Sequence, residues 1–323
     1  MQYQRLGSSD LTVSRIGFGG MSIGDPSQGR HSWIRDGREA EVLLGEAIDC
    51  GITFFDTAGV YAGGSSERLI GQFLRPRRKD MVIASKVGGD TRSMAPRGGL
   101  LGAARIAEDI DLALSRLQSD YIDLLQIHRW DPVTPVEETL EALDRAVKAG
   151  KVRYLGACSI WTEQLLRALK LQQDNALARF ISMQVQYNLL YREDEAEMIP
   201  ACRDHGLGVI AYSALARGKL LAGLQAPSER SRSDPLTAQL FDAPADADIS
   251  AGLHRLAGQL GVPPAQLALS WALHRPAISA VLAGASRPGH LTAAAAALAI
   301  KPGQSVFDAL EQPYRARPVS GHV

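Results

Sequence analysis

One stretch indicates the fold more clearly than any other, IDLLQIHRWDPVTPVEETLEALDRAVKAGKVRYLGA (122–157). It opens and closes with short runs that are apolar on both faces, IDLLQI (122–127) and VRYLGA (152–157), which is typical of strands in a parallel sheet. Between them, VEETLEALDRAVKAG (136–150) repeats apolar residues at helical spacings, follows a proline and ends on a glycine. The stretch therefore predicts a strand, a helix and a second parallel strand.

Apolar runs of this kind return eight times along the 323 residues, with helix-length segments between them. Most repeats are about 30 residues long, which matches the size of a (β/α)8 barrel, the TIM-barrel fold. No internal linker interrupts the series, so we expect a single barrel domain over 1–323. The eight runs are RIGFG (15–19), ITFF (52–55), MVIAS (81–85), IDLLQI (122–127), VRYLGA (152–157), FISMQ (180–184), LGVIAY (207–212) and SAVLA (279–283).

A doubly wound sheet is the alternative α/β fold. It usually carries a glycine-rich turn after its first strand, and neither GxGxxG nor GxxxxGK[ST] occurs in this sequence. The barrel is therefore preferred, with two additions. QYQRLGSSDLTVS (2–14) predicts a hairpin before the first barrel strand, and the polar, proline-bearing segment 223–250 predicts a long loop after the seventh, which is a candidate lid.

The composition indicates a globular protein that binds a small molecule. Hydrophobic residues make up 46% and charged residues 22%, and the 35 Lys and Arg balance the 35 Asp and Glu. We therefore expect neither a nucleic-acid nor a membrane partner, and the lack of an apolar leader or membrane-length segment predicts a cytoplasmic location. Cys50, Cys158 and Cys202 form no CxxC, so no metal site is indicated. The sequence does not indicate an oligomeric state.

Polar residues stand where several of the predicted strands end. In FFDTAGVYAGGSSE (54–67), Asp56 ends the second strand and Tyr61 follows in the loop, while Lys86 ends the third strand and His128 the fourth. The carboxyl ends of barrel strands open onto one face, where active sites form. A buried carboxylate needs a partner, so we expect Asp56 to pair with Lys86 beside Tyr61.

This arrangement suggests a general acid. A positive charge about 4 Å away is worth roughly 4 kcal/mol at an effective dielectric constant of 20, so Lys86 is expected to lower the pKa of Tyr61 by about three units, to near neutrality. A neutral His128 would hydrogen-bond the same oxygen that Tyr61 protonates. Taken singly, each residue also fits an ordinary structural role, and the spacing alone does not name the reaction.

Longer motifs resemble those of the aldo-keto reductase superfamily over nearly the whole chain. The residues around HRWD and the closing PYRARPVSGHV resemble its bacterial YajO-type branch. The matching segments are FDTAGVYAGGSSE (55–67), SK (85–86), LLQIHRWDPVTPVEETLEAL (124–143), QYNLLYRE (186–193), VIAYSALARGKL (209–220), VPPAQLALSWAL (262–273) and LAGASRPGHL (282–291).

The resemblance implies an enzyme in which NADPH gives hydride to an aldehyde or ketone carbon. It implies a catalytic tetrad of Asp56, Tyr61, Lys86 and His128, in which Tyr61 gives the proton. It also implies that Gln184 with the pair Cys158 and Ser159 holds the nicotinamide carboxamide, that Tyr212 stacks on the ring and that the loop after the seventh strand covers the pyrophosphate. The implied cofactor-binding residues are Met21, Asp56, Cys158, Ser159, Gln184, Tyr212, Ser213, Leu215, Gly218, Gly284, Ser286, Arg287 and His290.

Arg287 is the reason to expect NADPH rather than NADH, because a guanidinium grips phosphate with two hydrogen bonds and the following helix N-terminus favours an anion. The chain departs from the family in two places. It has Cys158-Ser159 where relatives commonly have Ser-Asn, and because a thiol is a weak hydrogen-bonding group we expect one weaker carboxamide contact. It also has Thr292-Ala293-Ala294 where they often have Glu-Asn, so adenine contacts are expected to be poorer, with His290 compensating.

Trp33 and Trp130, in loops at the barrel mouth, are candidate walls of the substrate pocket, with simple packing as the alternative for each. Two other functions stay open at this point. A cofactor-binding sensor or interaction protein with little turnover would fit the weakened adenine motif, and another barrel enzyme, such as a lyase or isomerase, would use the same fold.

Overall fold

The computed structural model describes residues 1–28, 31–89, 99–221, 229–320 and 322. Within these ranges the strands are β1 (Tyr3–Arg5), β2 (Thr12–Ser14), β3 (Ile16–Gly19), β4 (Phe54–Asp56), β5 (Val82–Val87), β6 (Ile122–Ile127), β7 (Val152–Cys158), β8 (Phe180–Gln186), β9 (Gly208–Tyr212) and β10 (Ile278–Ala283). The α-helices are α1 (Gly37–Asp49), α2 (Ser65–Leu74), α3 (Ala103–Leu117), α4 (Val136–Lys148), α5 (Thr162–Asp174), α6 (Met198–Asp204), α7 (Glu229–Ser233), α8 (Pro235–Leu240), α9 (Pro244–Leu260), α10 (Pro264–Leu273), α11 (His290–Ala296) and α12 (Gln304–Glu311).

Strands β3 to β10 form a closed parallel barrel in chain order, and β10 pairs with β3 to complete the circle. Each of the eight apolar runs in the sequence forms one of these strands, so the predicted (β/α)8 barrel is confirmed. The strands are mostly buried on both faces because side chains fill the interior and helices cover the outside.

The hairpin of β1 and β2 closes the amino-terminal end of the barrel, as the sequence predicts. Leu6 and Val13 are fully buried and belong to one apolar cluster with Phe54, Leu124 and Ile210, whose side chains come from three barrel strands. This plug leaves the carboxyl-terminal end of the barrel as the open end, where the predicted site residues lie.

The connection after β9 is long, as predicted, and its described part carries helices that the sequence analysis did not anticipate. Residues 223–228 of the predicted loop lie outside the described residues. Beyond them, Pro235 and Pro244 begin α8 and α9, which is the position in a helix that proline favours. Phe241 and Ile249 are buried and anchor this segment to the core. A role as a lid stays a prediction.

Candidate active site

A buried ion pair joins two neighbouring strands at the open end of the barrel. Asp56 ends β4 and faces Ala84 of β5 in register, so Lys86 lies two residues further along the neighbouring strand. Lys86 Nζ is 2.5 Å from Asp56 Oδ1, and the two residues are only 5% and 2% exposed. The carboxylate at the end of this apolar strand therefore has the cationic partner that its burial requires.

Lys86 also reaches the loop that carries the phenol. Its Nζ donates to the carbonyl oxygen of Thr57 (3.0 Å) and lies 3.3 Å from the hydroxyl oxygen of Tyr61. With Asp56, these contacts use all three donor directions of the ammonium group. The ammonium is thus held in one orientation, directed at the Tyr61 oxygen.

The sequence Ala62-Gly63-Gly64 turns the chain sharply after Tyr61. All three residues have positive φ angles of 46°, 61° and 84°, and two of them are glycines, which tolerate this region best. A Cβ on Gly64 would lie 2.6 Å from the Arg116 guanidinium, which in turn bonds the buried Glu67 (3.1 Å). Arg116 therefore packs directly on the turn that presents Tyr61.

The prediction that Lys86 lowers the pKa of Tyr61 to near neutrality is wrong for this structure. Burial of the phenol raises its pKa above the ordinary value of 10.0, and the opposing charge of Lys86 is insufficient because Asp56 offsets part of it. Burial would also lower the pKa of Lys86, but Asp56 and the nearby phenol reverse the effect, so the pKa of Lys86 is raised. Tyr61 is protonated and Lys86 charged at neutral pH.

His128 follows β6, where its backbone N–H donates to the Val87 carbonyl oxygen (2.8 Å). Its ring meets the Tyr61 ring edge to face, with the centroids 6.0 Å apart. Burial lowers the pKa of His128 well below 6.5, and the charges of Arg129 and Lys86 lower it further. The imidazole is therefore neutral at physiological pH and keeps one N–H as a donor.

The second oxygen of Asp56 binds two glutamines, one of which sequence reasoning missed. Gln126 Nε2 (3.1 Å) and Gln184 Nε2 (2.8 Å) both donate to Asp56 Oδ2, and Gln184 Nε2 also donates to Gln126 Oε1 (3.3 Å). Gln126 is fully buried in β6, two residues before His128. That single amide in a buried strand was the signal that could have found it.

Gln184 belongs to a group with the three other predicted nicotinamide-binding residues. The Cys158 thiol is 3.7 Å from Gln184 Oε1, and Ser159 Oγ is 3.0 Å from the Tyr212 hydroxyl. The structure therefore brings Cys158, Ser159, Gln184 and Tyr212 together at the ends of β7, β8 and β9. Their amide, hydroxyl and thiol groups have the donor and acceptor types that a carboxamide needs.

Three other predicted cofactor residues lie in the turn after β9, and one follows β3. Ser213 and Gly218 adopt positive φ angles of 55° and 90°, and Gly218 N–H donates to the Leu215 carbonyl oxygen (2.9 Å). Met21 lies in a short 3-10 helix directly after β3. These positions line the same open end of the barrel as the tetrad.

Gly284, Ser286, Arg287 and His290 follow β10 at the predicted site for the adenosine phosphate. A Cβ on Gly284 would meet nothing within 4 Å, so the backbone here faces open space. Arg287 Nε donates to His290 Nε2 (2.8 Å). Among the described residues its two terminal nitrogens have no partner, which leaves them available for an anion.

The N-terminus of α11 is not free for an anion, contrary to the sequence prediction. The Glu46 carboxylate of α1 accepts hydrogen bonds from the backbone N–H groups of Gly289 (3.0 Å) and Thr292 (2.8 Å), and from the Thr292 hydroxyl (2.8 Å). Burial would raise the pKa of Glu46, but these hydrogen bonds lower it overall. An ionised carboxylate already occupies the position where the helix N-terminus was expected to support phosphate binding.

The two candidate pocket walls lie in different surroundings. Trp33 is 3% exposed, stacks on His31 and lies under the guanidinium of Arg230, which is close enough to Tyr61 for the two to interact electrostatically. Trp130 packs against the core between the barrel and its helices, beside Leu140. This environment favours the packing alternative for Trp130. Trp33 lies closer to the site, because the Arg230 guanidinium that covers its ring is near Tyr61.

The chain matches the family model described as "Aldo/keto reductase family" over residues 15–315. It belongs to the aldo/keto reductase family. Aldo-keto reductase AMT2 of Alternaria alternata is 37% identical over 99% of this chain and 93% of its own length. A putative aryl-alcohol dehydrogenase of Schizosaccharomyces pombe is 35% identical over 99% and 98%, and a probable voltage-gated potassium channel subunit beta of Oryza sativa subsp. japonica is 31% identical over 98% and 98%.

Membership of the aldo/keto reductase family indicates an oxidoreductase. The two most similar of these three relatives are fungal, so the bacterial YajO-type branch is not confirmed and stays a prediction. No helix in the described ranges combines the length and apolar composition needed to span a membrane. Nor do the described residues include a group of three or more His, Cys, Asp or Glu side chains arranged to hold a metal ion.

Proposed function

We propose that this chain reduces aldehydes or ketones to alcohols with NADPH, with Tyr61 as the proton donor. The observation that carries the proposal is the position of Lys86 Nζ, which contacts both Asp56 Oδ1 (2.5 Å) and the Tyr61 hydroxyl (3.3 Å). An ammonium group fixed beside a phenol stabilises the phenolate that forms when the proton leaves. This arrangement suits a reaction in which negative charge develops on a carbonyl oxygen.

The raised pKa of Tyr61 is compatible with this role. A phenol that keeps its proton at neutral pH is in the correct state to donate it. A substrate oxygen placed between Tyr61 and the neutral His128 would accept a hydrogen bond from each. Lys86 stays charged throughout, since Asp56 holds it in place, and its field favours loss of the Tyr61 proton as the oxygen anion forms.

The residues at the barrel mouth fit a nicotinamide dinucleotide, which supplies the hydride when bound. Gln184, Cys158 and Ser159 would hold the carboxamide, and Tyr212 would lie against the ring. Gly284 leaves room for the backbone to approach a ligand, and the free nitrogens of Arg287 support NADPH over NADH. Met21, Ser213, Leu215, Gly218, Ser286 and His290 complete the proposed cofactor site, next to a small carbonyl substrate. We also propose that the protein is located in the cytoplasm.

A cofactor-binding sensor with little turnover is the second candidate. Two observations favour it: the relative named as a potassium channel subunit, and the Glu46 carboxylate close to the proposed phosphate site. The tetrad favours the enzyme, because all four side chains are present and the ammonium is fixed beside the phenol.

Two measurements on the purified protein separate these functions. Fluorescence titration with NADPH measures cofactor binding, and loss of nicotinamide absorbance with a panel of reactive aldehydes measures turnover. The reductase predicts both binding and rapid steady-state reduction. Binding without useful turnover of any aldehyde would support the sensor, and a failure to bind NADPH or NADH would refute both and return the chain to another class of barrel enzyme.

A further inference from the structure

Arg129 places a positive charge at the mouth of the barrel, directly after His128. Its Nη1 donates to the His128 carbonyl oxygen (2.6 Å) and lies 3.6 Å from the Cys158 sulfur. Its charge contributes to lowering the pKa of His128 and also that of His322, which falls to about 4 mainly through burial. The guanidinium therefore lies between the candidate catalytic histidine and the carboxyl-terminal segment.

Within the described part of the chain, this guanidinium has no acidic partner. Among the described residues, no aspartate or glutamate forms an ion pair with Arg129, and the titratable side chain that its guanidinium contacts is Cys158. By contrast, Arg217 and Arg230 share the carboxylate of Asp234. A partly desolvated cation without a counter-ion is unfavourable unless a ligand provides one.

The position of Arg129 does not suit the cofactor phosphates. The residues proposed for those phosphates follow β9 and β10, whereas Arg129 follows β6, which lies across the barrel from β10. Arg129 is instead next to His128 and within electrostatic reach of Tyr61, the two groups proposed to bind the substrate oxygen. An anion bound there would belong to the same small molecule as the reacting carbonyl.

We propose that Arg129 binds a carboxylate carried by the carbonyl substrate, so that the preferred substrates are aldehydes or ketones with an acid group a few bonds from the reacting carbon. A guanidinium can make two parallel hydrogen bonds to a carboxylate and so fixes the substrate's orientation as well as its charge. This inference rests on the proposed reductase function, and it makes Arg129 a specificity-determining residue.

The test compares para-carboxybenzaldehyde with its methyl ester, which has nearly the same shape without the charge. The ratio of the two kcat/KM values is measured for the wild type, Arg129→Met, Arg129→Lys and Arg153→Met. We expect Arg129→Met to lower the acid-to-ester ratio of kcat/KM by about 10- to 100-fold. Arg129→Lys should retain part of the preference, because it keeps the charge but not the paired hydrogen bonds.

Arg153→Met is the matched control, since it removes the same charge at the start of β7, at the opposite end of the barrel. It should leave the acid-to-ester ratio unchanged. Reduction of the ester by each variant also shows that the variant is folded. An equal ratio in the wild type and Arg129→Met would overturn the proposal.

Calorimetric binding of terephthalate, with terephthalamide as the neutral comparison, provides a readout that needs no turnover. The proposal predicts that terephthalate binds the wild type and that Arg129→Met weakens this binding by about tenfold or more. If no aldehyde is reduced but this difference is found, the reductase function fails and the anion site stands. If both aldehydes are reduced with an unchanged ratio and terephthalate binding does not depend on Arg129, the anion site fails and the reductase function stands.

Discussion

The ammonium nitrogen of Lys86 lies 2.5 Å from Asp56 Oδ1, across two adjacent strands of the barrel. Both side chains are almost fully buried, so each charge depends on the other. The same ammonium is 3.3 Å from the Tyr61 oxygen, which links the stability of the pair to the proposed chemistry.

Removal of the ammonium alone should destabilise the fold. We expect Lys86→Met to lower the free energy of unfolding by about 3–5 kcal/mol, because it leaves the Asp56 carboxylate buried without a counter-ion. The double variant Lys86→Met with Asp56→Asn should regain part of this loss but no activity. Chemical denaturation measures the stability of each, and a Lys86→Met protein as stable as the wild type would show that the pair is not buried as described.

The pH dependence should reflect the opposite pKa shifts of Tyr61 and His128. Burial raises the pKa of Tyr61 above 10.0 and lowers that of His128 well below 6.5, so neither group titrates between these values. We expect kcat/KM for the carbonyl substrate to show no ionisation of either group in that interval. A falling limb near neutrality that Tyr61→Phe removes would instead show that Lys86 lowers the phenol pKa.

The same two pKa shifts make the stability of the folded protein depend on pH. Above pH 10.0, the ordinary pKa of the phenol, the unfolded chain releases the Tyr61 proton whereas the folded protein keeps it. The free energy of unfolding should therefore fall as the pH rises above that value. Below 6.5 the unfolded chain takes up a proton that buried His128 does not, so stability should also fall on acidification. Denaturation across pH checks both, and His128→Gln should reduce the acid loss.

Much of the fold follows from the sequence because its signals are local. The eight apolar runs, the hairpin and the helix after Pro135 depend on nearby residues and on burial of both strand faces. The contact between Asp56 and Lys86 follows as well, since both lie near the carboxyl ends of neighbouring parallel strands. Once the order of the strands is known, this neighbourhood is fixed.

Other features depend on contacts between residues that are far apart in the sequence, which no local pattern predicts. Glu46 reaches the start of α11 from a helix more than two hundred residues earlier in the chain, as its bond to Thr292 shows. The direction of the Tyr61 pKa shift reflects a balance between burial and two opposing charges, which the sequence could not weigh. The sequence does not single out Gln126, because one amide within a mainly apolar strand also fits ordinary packing.

The turn after Tyr61 should not tolerate a side chain at Gly64. Gly64→Ala would place a Cβ 2.6 Å from Arg116, and moving Arg116 would leave the buried Glu67 carboxylate without its cationic partner. We expect a loss of stability beyond the roughly 1 kcal/mol cost of the positive φ angle itself, together with a lower kcat as Tyr61 shifts. Gly150→Ala is the matched control, because Gly150 also has a positive φ but a Cβ there meets nothing within 4 Å. Equal effects of the two substitutions on stability and rate would argue against the clash.

Cofactor preference should depend on Arg287 and Glu46 in opposite directions. Arg287→Met should weaken NADPH binding by about 10- to 100-fold with little change for NADH, because it removes two charge-assisted hydrogen bonds to the proposed phosphate. Glu46→Gln removes a negative charge at the start of α11 and should tighten NADPH binding relative to NADH. Fluorescence titration with each cofactor measures the ratio, and an Arg287→Met protein with unchanged preference would exclude Arg287 as the phosphate ligand.

The role of Tyr61 as proton donor is tested by the rate at which Tyr61→Phe reduces an aldehyde, compared with the affinity of this variant for NADPH. We expect kcat to fall by about 10²- to 10⁴-fold, because the substrate oxygen loses its proton donor, while NADPH binding measured by fluorescence stays close to that of the wild type. Undiminished turnover by Tyr61→Phe would contradict the claim that Lys86 and Asp56 hold this phenol in place to donate its proton.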